Sequence, residues 1–195
     1  MLAKLSSFSR ILAVLALAAL AAAPAMAAGY AIDGTHSSAI FRIKHFETAY
    51  FYGAFKEVSG TVTYDAENPA KSSIMVEIAA ASADTRNTNR DDHVKSPDFL
   101  NAAEFPKITF KSTSVKAAGD DMLEVTGDFT LHGVTKPVTA EVELTGQGTH
   151  PSSGKAIIGF LARFTVDRTQ HDMGFMAGPL SKEVDFILSV EAAAE

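Results

Sequence analysis

The chain has 195 residues, with 17 Lys and Arg against 23 Asp and Glu, and no cysteine. The lack of cysteine excludes disulfides, thiol catalysis, thiolate metal sites and covalently attached haem. The acidic balance argues against nucleic acid and against electrostatic adhesion to an anionic membrane surface.

Residues 1–27 read as a secretory signal. Lys4 and Arg10 give a positive start, an unbroken apolar run follows, and Ala25-Met26-Ala27 supplies the small residues at which a signal peptidase cuts. The run covers residues 11–23, short of the roughly 20 residues that a spanning helix needs, so no stable membrane insertion is expected. The remaining segment, 28–195, carries 15 basic and 23 acidic residues, a formal charge of −8. Its length suits one domain with a core that is stable without staples.

Period-two alternation dominates this segment. Phe41 and Ile43 face one way and Arg42 and Lys44 the other, which predicts a strand over 38–45 with one wet face. Val58, Gly60, Val62 and Tyr64 mark the next strand; Ile74, Val76, Ile78 and Ala80 mark a third, after a turn at 65–71 that holds Asn68-Pro69. Residues 91–101 resemble a helix, with Asp91-Asp92 at its positive end, Val94, Phe99 and Leu100 on its apolar face, and Pro97 making it short or broken. Ile108 and Phe110 open a fourth strand, and Leu123 to Leu131 alternate in a fifth. Val138 to Leu144 make a sixth, Ile158 to Val166 a seventh and Val184 to Val190 an eighth. The turns at 117–121, 132–133 and 151–154 are short and polar, as antiparallel neighbours require. Such a pattern fits a closed up-and-down barrel or a two-sheet sandwich, which periodicity does not separate. The inward phenylalanines and strand glycines favour the barrel.

Several stretches are similar to the YceI-like, or polyisoprenoid-binding, family. They are Tyr30-Ala31-Ile32-Asp33 with His36-Ser37, the 41–45 strand, Gly53-Ala54-Phe55, Asp84-Thr85, and Arg90-Asp91-Asp92-His93-Val94-Lys95-Ser96 with Asp98-Phe99-Leu100. Farther on come Phe105-Pro106-Lys107-Ile108, the Leu131-His132-Gly133-Val134-Thr135-Lys136-Pro137 core, and Val166-Asp167-Arg168. The resemblance implies an all-β fold: an extended eight-stranded antiparallel lipocalin-like barrel with a short helical insertion. It also implies export to the periplasm and an apolar tunnel that holds a polyprenyl chain or another long amphiphile, such as an isoprenoid quinone or a fatty-acid derivative.

Phe41, Ile43, Phe55, Phe110, Phe129, Leu131, Phe160 and Phe164 are the candidate lining. Inward aromatics of a β-domain more often fill a solid core; the resemblance reverses that expectation here. The apolar loop with Met173, Phe175 and Met176 reads as a lid or mouth, or as a loop packed over the barrel end, since thioethers adapt to irregular ligands. Head-group candidates are His45, Thr85, Asn87, Arg90, His93, Arg168 and His171. Arg would grip a phosphate in two-pronged fashion, and His or Asn would bond a phosphate or a quinone carbonyl. The competing role for Arg90 and Arg168 is a carboxylate pair that locks the insertion onto the barrel, favoured for Arg168 because Asp167-Arg168 ends a strand.

No cofactor is expected, and six scattered histidines show no metal-ligand spacing. The leading function is a periplasmic carrier for a long isoprenoid-type lipid, a polyprenyl phosphate or an isoprenoid quinone. One alternative is an enzyme acting on that ligand with His45 or His171 moving a proton. Another is a filled-barrel, stress-linked interaction module. An exposed strand edge would suit a homodimer, although no segment identifies one.

Overall fold

The computed structural model describes residues 28–195; the signal segment read at 1–27 lies outside them. Eleven strands form the sheet: β1 (Ala28–Ile32), β2 (Ser38–His45), β3 (Ala49–Phe55), β4 (Val58–Tyr64), β5 (Ser73–Ala79), β6 (Ala83–Asp84), β7 (Lys107–Gly119), β8 (Met122–Leu131), β9 (Val134–Thr149), β10 (Ala156–Asp167) and β11 (Leu180–Ala194). Among the described residues one α-helix, α1 (Thr88–Lys95), and three short 3-10 turns interrupt them.

The eleven segments reduce to eight long antiparallel strands. β1 and β2 run end to end along β11, where Ile32 opposes Ala192 and Ser38 opposes Ser189, so residues 33–37 bulge out of the sheet. β4 then pairs with β1 and β3 with β2, while β5 pairs with β4 and β6 with β3. Each couple is one strand broken by a kink. The rest follow as neighbours, β5 to β7 and onward to β11, which returns to β1 and closes an eight-stranded up-and-down barrel. Closure removes most of the edge that an open sheet would expose.

The eight alternating patterns each fall within a different barrel strand. The first three mark only parts of theirs, because the kinks at 33–37, 56–57 and 80–82 interrupt the period. The predicted 132–133 turn is a two-residue hairpin connection in which His132 (φ 51°) and Gly133 (φ 74°) both take left-handed backbone, as the twist of such hairpins demands. A side chain on Gly133 would also strike the Phe105 ring 2.5 Å away.

The helix is a correction. It spans Thr88–Lys95 rather than 91–101, because Asn87 caps it by accepting a hydrogen bond from the Arg90 N–H. It ends two residues before Pro97, which disfavours helical backbone in the residue preceding it. The insertion fills a gap in the wall. β6 finds a partner only in β3, and β7 pairs only with β5 on that side, so residues 85–106 cover the opening between them.

Candidate functional site

The barrel interior has two parts. In the half built on β1, β4 and β5, inward side chains leave a void of about 50 Å³, lined by aliphatic and aromatic groups with Thr109 as the one polar residue. In the half built on β2, β3 and the insertion, a cavity of about 480 Å³ opens at the barrel end. An aromatic partition separates them. Phe164 stacks on Phe186 with centroids 5.2 Å apart, and Phe129 meets both rings edge-on at 5.2 and 5.3 Å. Such pairs favour tilted or offset contacts, so the partition is a packed structure rather than a loose fill.

This division sorts the predicted lining. Phe41, Ile43, Phe55, Leu131, Met173 and Met176 line the open cavity. Phe110, Phe129, Phe160 and Phe164 surround the small void, so they close the tunnel at its inner end. Phe175 stands on the rim, in edge contact with His93 and Phe99 at 5.6 and 5.4 Å. Alternation did not single out Phe51, Val94, Leu180, Val184 and Phe186 as ligand contacts, yet they line the cavity. For Phe51 a signal was present: it lies two and four residues before Gly53 and Phe55 on the same strand face. Gly53 leaves room for the Phe41 ring, since a Cβ on it would sit 2.2 Å from that ring and the ring would have to move.

The polar candidates divide as sharply. Arg90 lines the cavity with its guanidinium 4.4 Å over the Phe51 ring. Its Nε donates to the Thr85 hydroxyl at 3.0 Å and an Nη donates to the Thr85 carbonyl at 2.9 Å, which leaves three of its five N–H groups outside these bonds. Thr85 is buried in the support behind it and donates its own hydroxyl to Asp91 at 2.5 Å. That bond holds the Asp91 carboxyl below the usual carboxylate range. Asn87 is the helix cap, not part of the cavity wall. His93 lines the mouth and bonds Asp98 at 2.9 Å, and His45 lines it against the Phe46 ring, 4.2 Å away.

Arg168 takes the structural role, though without the expected carboxylate pair. It is 1% exposed, and its guanidinium donates to four carbonyls, two in the following loop, Met173 and Phe175 (2.8 Å), and two at the start of β11, Leu180 (3.3 Å) and Ser181 (2.9 Å). Burial pushes its pKa down, with Asp167 acting the other way. Charge-assisted bonds to carbonyl dipoles thereby shape the loop that carries Met173 and Met176. His171 is buried away from the open cavity, donating from Nδ1 to the Val134 carbonyl at 3.0 Å and touching the Phe129 ring. Elsewhere, Asp33, His36 and Glu191 bring ligand-type atoms within 4.8 Å of one another at the 33–37 bulge; His36 Nδ1 to Asp33 at 2.9 Å accounts for the arrangement as a hydrogen bond.

The model of the YceI-like domain matches residues 30–192. The chain belongs to the YceI-like family. Protein YceI of Escherichia coli O6:H1 is 47% identical over 173 residues, covering 88% of this chain and 90% of that one. Protein YceI of Salmonella newport is 45% identical over the same spans. The crystal structure of a Campylobacter jejuni YCEI protein superposes with a TM-score of 0.68 at 25% identity, covering 78% of this chain and 90% of that one. Burkholderia cenocepacia BcnA shares the fold at a TM-score of 0.75 and 24% identity, over 82% and 98% of the two chains. A polyisoprenoid binding domain from Saccharophagus degradans does so at 0.64 and 14%, over 87% and 99%. Across this YceI-like barrel, no helix among the described residues is long and apolar enough to cross a membrane.

Proposed function

We propose that this YceI-like protein is an exported, periplasmic carrier that holds a long isoprenoid-type lipid without covalent chemistry. The observation that carries this reading is the 480 Å³ cavity, walled by Phe41, Phe51, Phe55, Leu131, Val184 and Phe186 and open at one end. Each methylene buried there contributes about 0.8 kcal/mol, so a few isoprene units outweigh the immobilisation of the chain. The similarity in fold to a structure described as a polyisoprenoid binding domain supports the same reading.

Between the two head-group classes, the wall favours an anionic one. Arg90 and Arg168 both border the cavity, and no Asp or Glu is among its lining residues. Arg90, with three N–H groups to spare, would grip a phosphate at the mouth, whereas Arg168 is committed to the loop carbonyls. An enzyme using His171 draws no support, since that ring faces Val134 and Phe129.

Organic extraction and mass spectrometry of protein from its native host should yield a stoichiometric isoprenoid lipid. An empty extract, together with a melting temperature that an isoprenyl phosphate titration leaves unmoved, would sink the reading. Arg90→Gln should weaken a polyprenyl phosphate about tenfold or more, the loss of one charge-assisted contact, and leave an uncharged prenol unaffected.

A further inference from the structure

Four of the six large apolar side chains exposed among the described residues lie at the cavity end of the barrel; the other two are Tyr52 on β3 and Met75 on β5. Phe46 is 56% exposed, Tyr50 52%, Phe175 42% and Met176 38%. Phe46 and Tyr50 belong to the β2–β3 hairpin, Phe175 and Met176 to the loop before β11. The two loops are joined, since the Phe46 N–H donates to the Pro179 carbonyl at 2.7 Å and His45 pairs with Leu180. Together they form an apolar edge to the mouth, which reaches the insertion where Phe175 meets His93 and Phe99. At the opposite end the exposed turn residues are polar, charged or small, among them Ala66, Glu67, Asn68, Asp120, Asp121, Pro151, Ser152, Ser153 and Lys155, with no large apolar side chain exposed in these turns.

Two rim residues stand on left-handed backbone, Phe46 at φ 48° and Met176 at φ 51°. Bulky L-residues rarely take that conformation, and Asn or Gly would fit a turn more easily. Both loops thus place an apolar side chain in solvent where turn chemistry calls for a small or polar one. Nearby charges neutralise one another: Arg42 meets Asp185 at 2.7 Å and Lys44 meets Glu47 at 3.1 Å. The rim is apolar and aromatic, with Phe46, Phe175 and Met176 on loop tips and Tyr50 at the start of β3 under the Arg42 guanidinium, 4.1 Å from its ring; Arg90 lines the cavity behind it.

We propose that this rim docks on the zwitterionic surface of a phospholipid bilayer and seats the cavity mouth there. Phe and Tyr rings suit the layer between head groups and acyl chains, and burying apolar loop tips there drives reversible attachment without an inserted segment. An amphiphile would then pass between the bilayer and the cavity without exposing its chain to water; this part rests on the carrier reading above.

The chain has no tryptophan, so single-tryptophan variants report on either end. With phosphatidylcholine vesicles, Phe46→Trp should shift its emission to the blue and be quenched by brominated acyl chains, while Ser152→Trp stays unchanged. Phe175→Trp serves as a second rim probe should Phe46→Trp fold poorly. The vesicle-bound fraction in flotation should fall about tenfold or more in the Phe46→Ser, Phe175→Ser double variant. Equal responses from both ends, or none from the rim, overturn the proposal, whatever protein the rim is found to capture instead. The two readings fail separately. A protein stabilised by dissolved isoprenyl phosphate that ignores vesicles is a carrier without this docking surface. One that binds vesicles through the rim yet holds no lipid has the surface and not the cargo.

Discussion

The two halves of one barrel differ in how completely the strand ring is hydrogen-bonded. In the closed half, β1, β4 and β5 join β7 to β11 in an unbroken circle, and the side chains of eight strands fill the interior to a void of about 50 Å³. In the mouth half, the ring is interrupted between β6 and β7, and residues 85–106 take the place of strand pairing. A helix and turns standing off the ring leave about 480 Å³ open. Eight strands make a barrel that is either filled or holds one small ligand, and this chain does each in turn, with Phe129, Phe164 and Phe186 at the boundary.

The largest test of that contrast is truncation on the partition. Phe129→Ala opens a hole in a packed interior and should cost roughly 3–5 kcal/mol, whereas Phe41→Ala, on a wall that already faces space, should cost about 1–2 kcal/mol. Equal losses in urea unfolding would mean that the halves are packed alike. Arg168→Met should cost about 2–3 kcal/mol, because the loop carbonyls lose charge-assisted donors, and Arg168→Lys should restore little, since one ammonium does not span four carbonyls. Proteolysis localised to residues 173–180 would show that the loss falls on the mouth.

Gly53→Ala should destabilise by roughly 1–2 kcal/mol through overpacking. Its more telling effect is on capacity: the Phe41 ring must move from above residue 53, and the longest isoprenyl chain retained in competition between chain lengths should shorten. Unchanged capacity would separate Phe41 from the ligand.

The smallest effect is expected away from both halves, at the 33–37 bulge. The bond to Asp33 raises the His36 pKa above its ordinary 6.5 and lowers that of Asp33 below 3.8. The His36 contribution is full below 6.5 and is lost as pH rises through its raised value; the Asp33 contribution is present above 3.8 and is lost as pH falls through its lowered value. The pair therefore helps most between pH 3.8 and 6.5. In His36→Gln the melting temperature should lose a small decline between pH 6 and 8 that the parent shows.

Much of the barrel was legible because alternation is a local property: Val125, Phe129 and Leu131 point inward wherever their strand is placed. The insertion was legible in kind and misplaced in extent, since Asn87 as a cap competes with the apolar residues at 94–100 as a helix signal. Head-group residues were harder to read. Thr85, Asn87 and His171 share the residue types of a polar site, and the fold occupies them in supporting Arg90, capping α1 and bonding the Val134 carbonyl.

Strand number, closure-compatible turns and the apolar character of the interior followed from the sequence alone, because side-chain period and turn chemistry act over a few residues. Where the interior stays open did not. That depends on which strand edges find partners around the ring, a matter of contacts between residues such as Phe55 and Ala83 or Ile78 and Ile108. Only the closed tertiary structure brought Phe41, Arg90 and Met176 to one cavity and Phe46 and Phe175 to one rim.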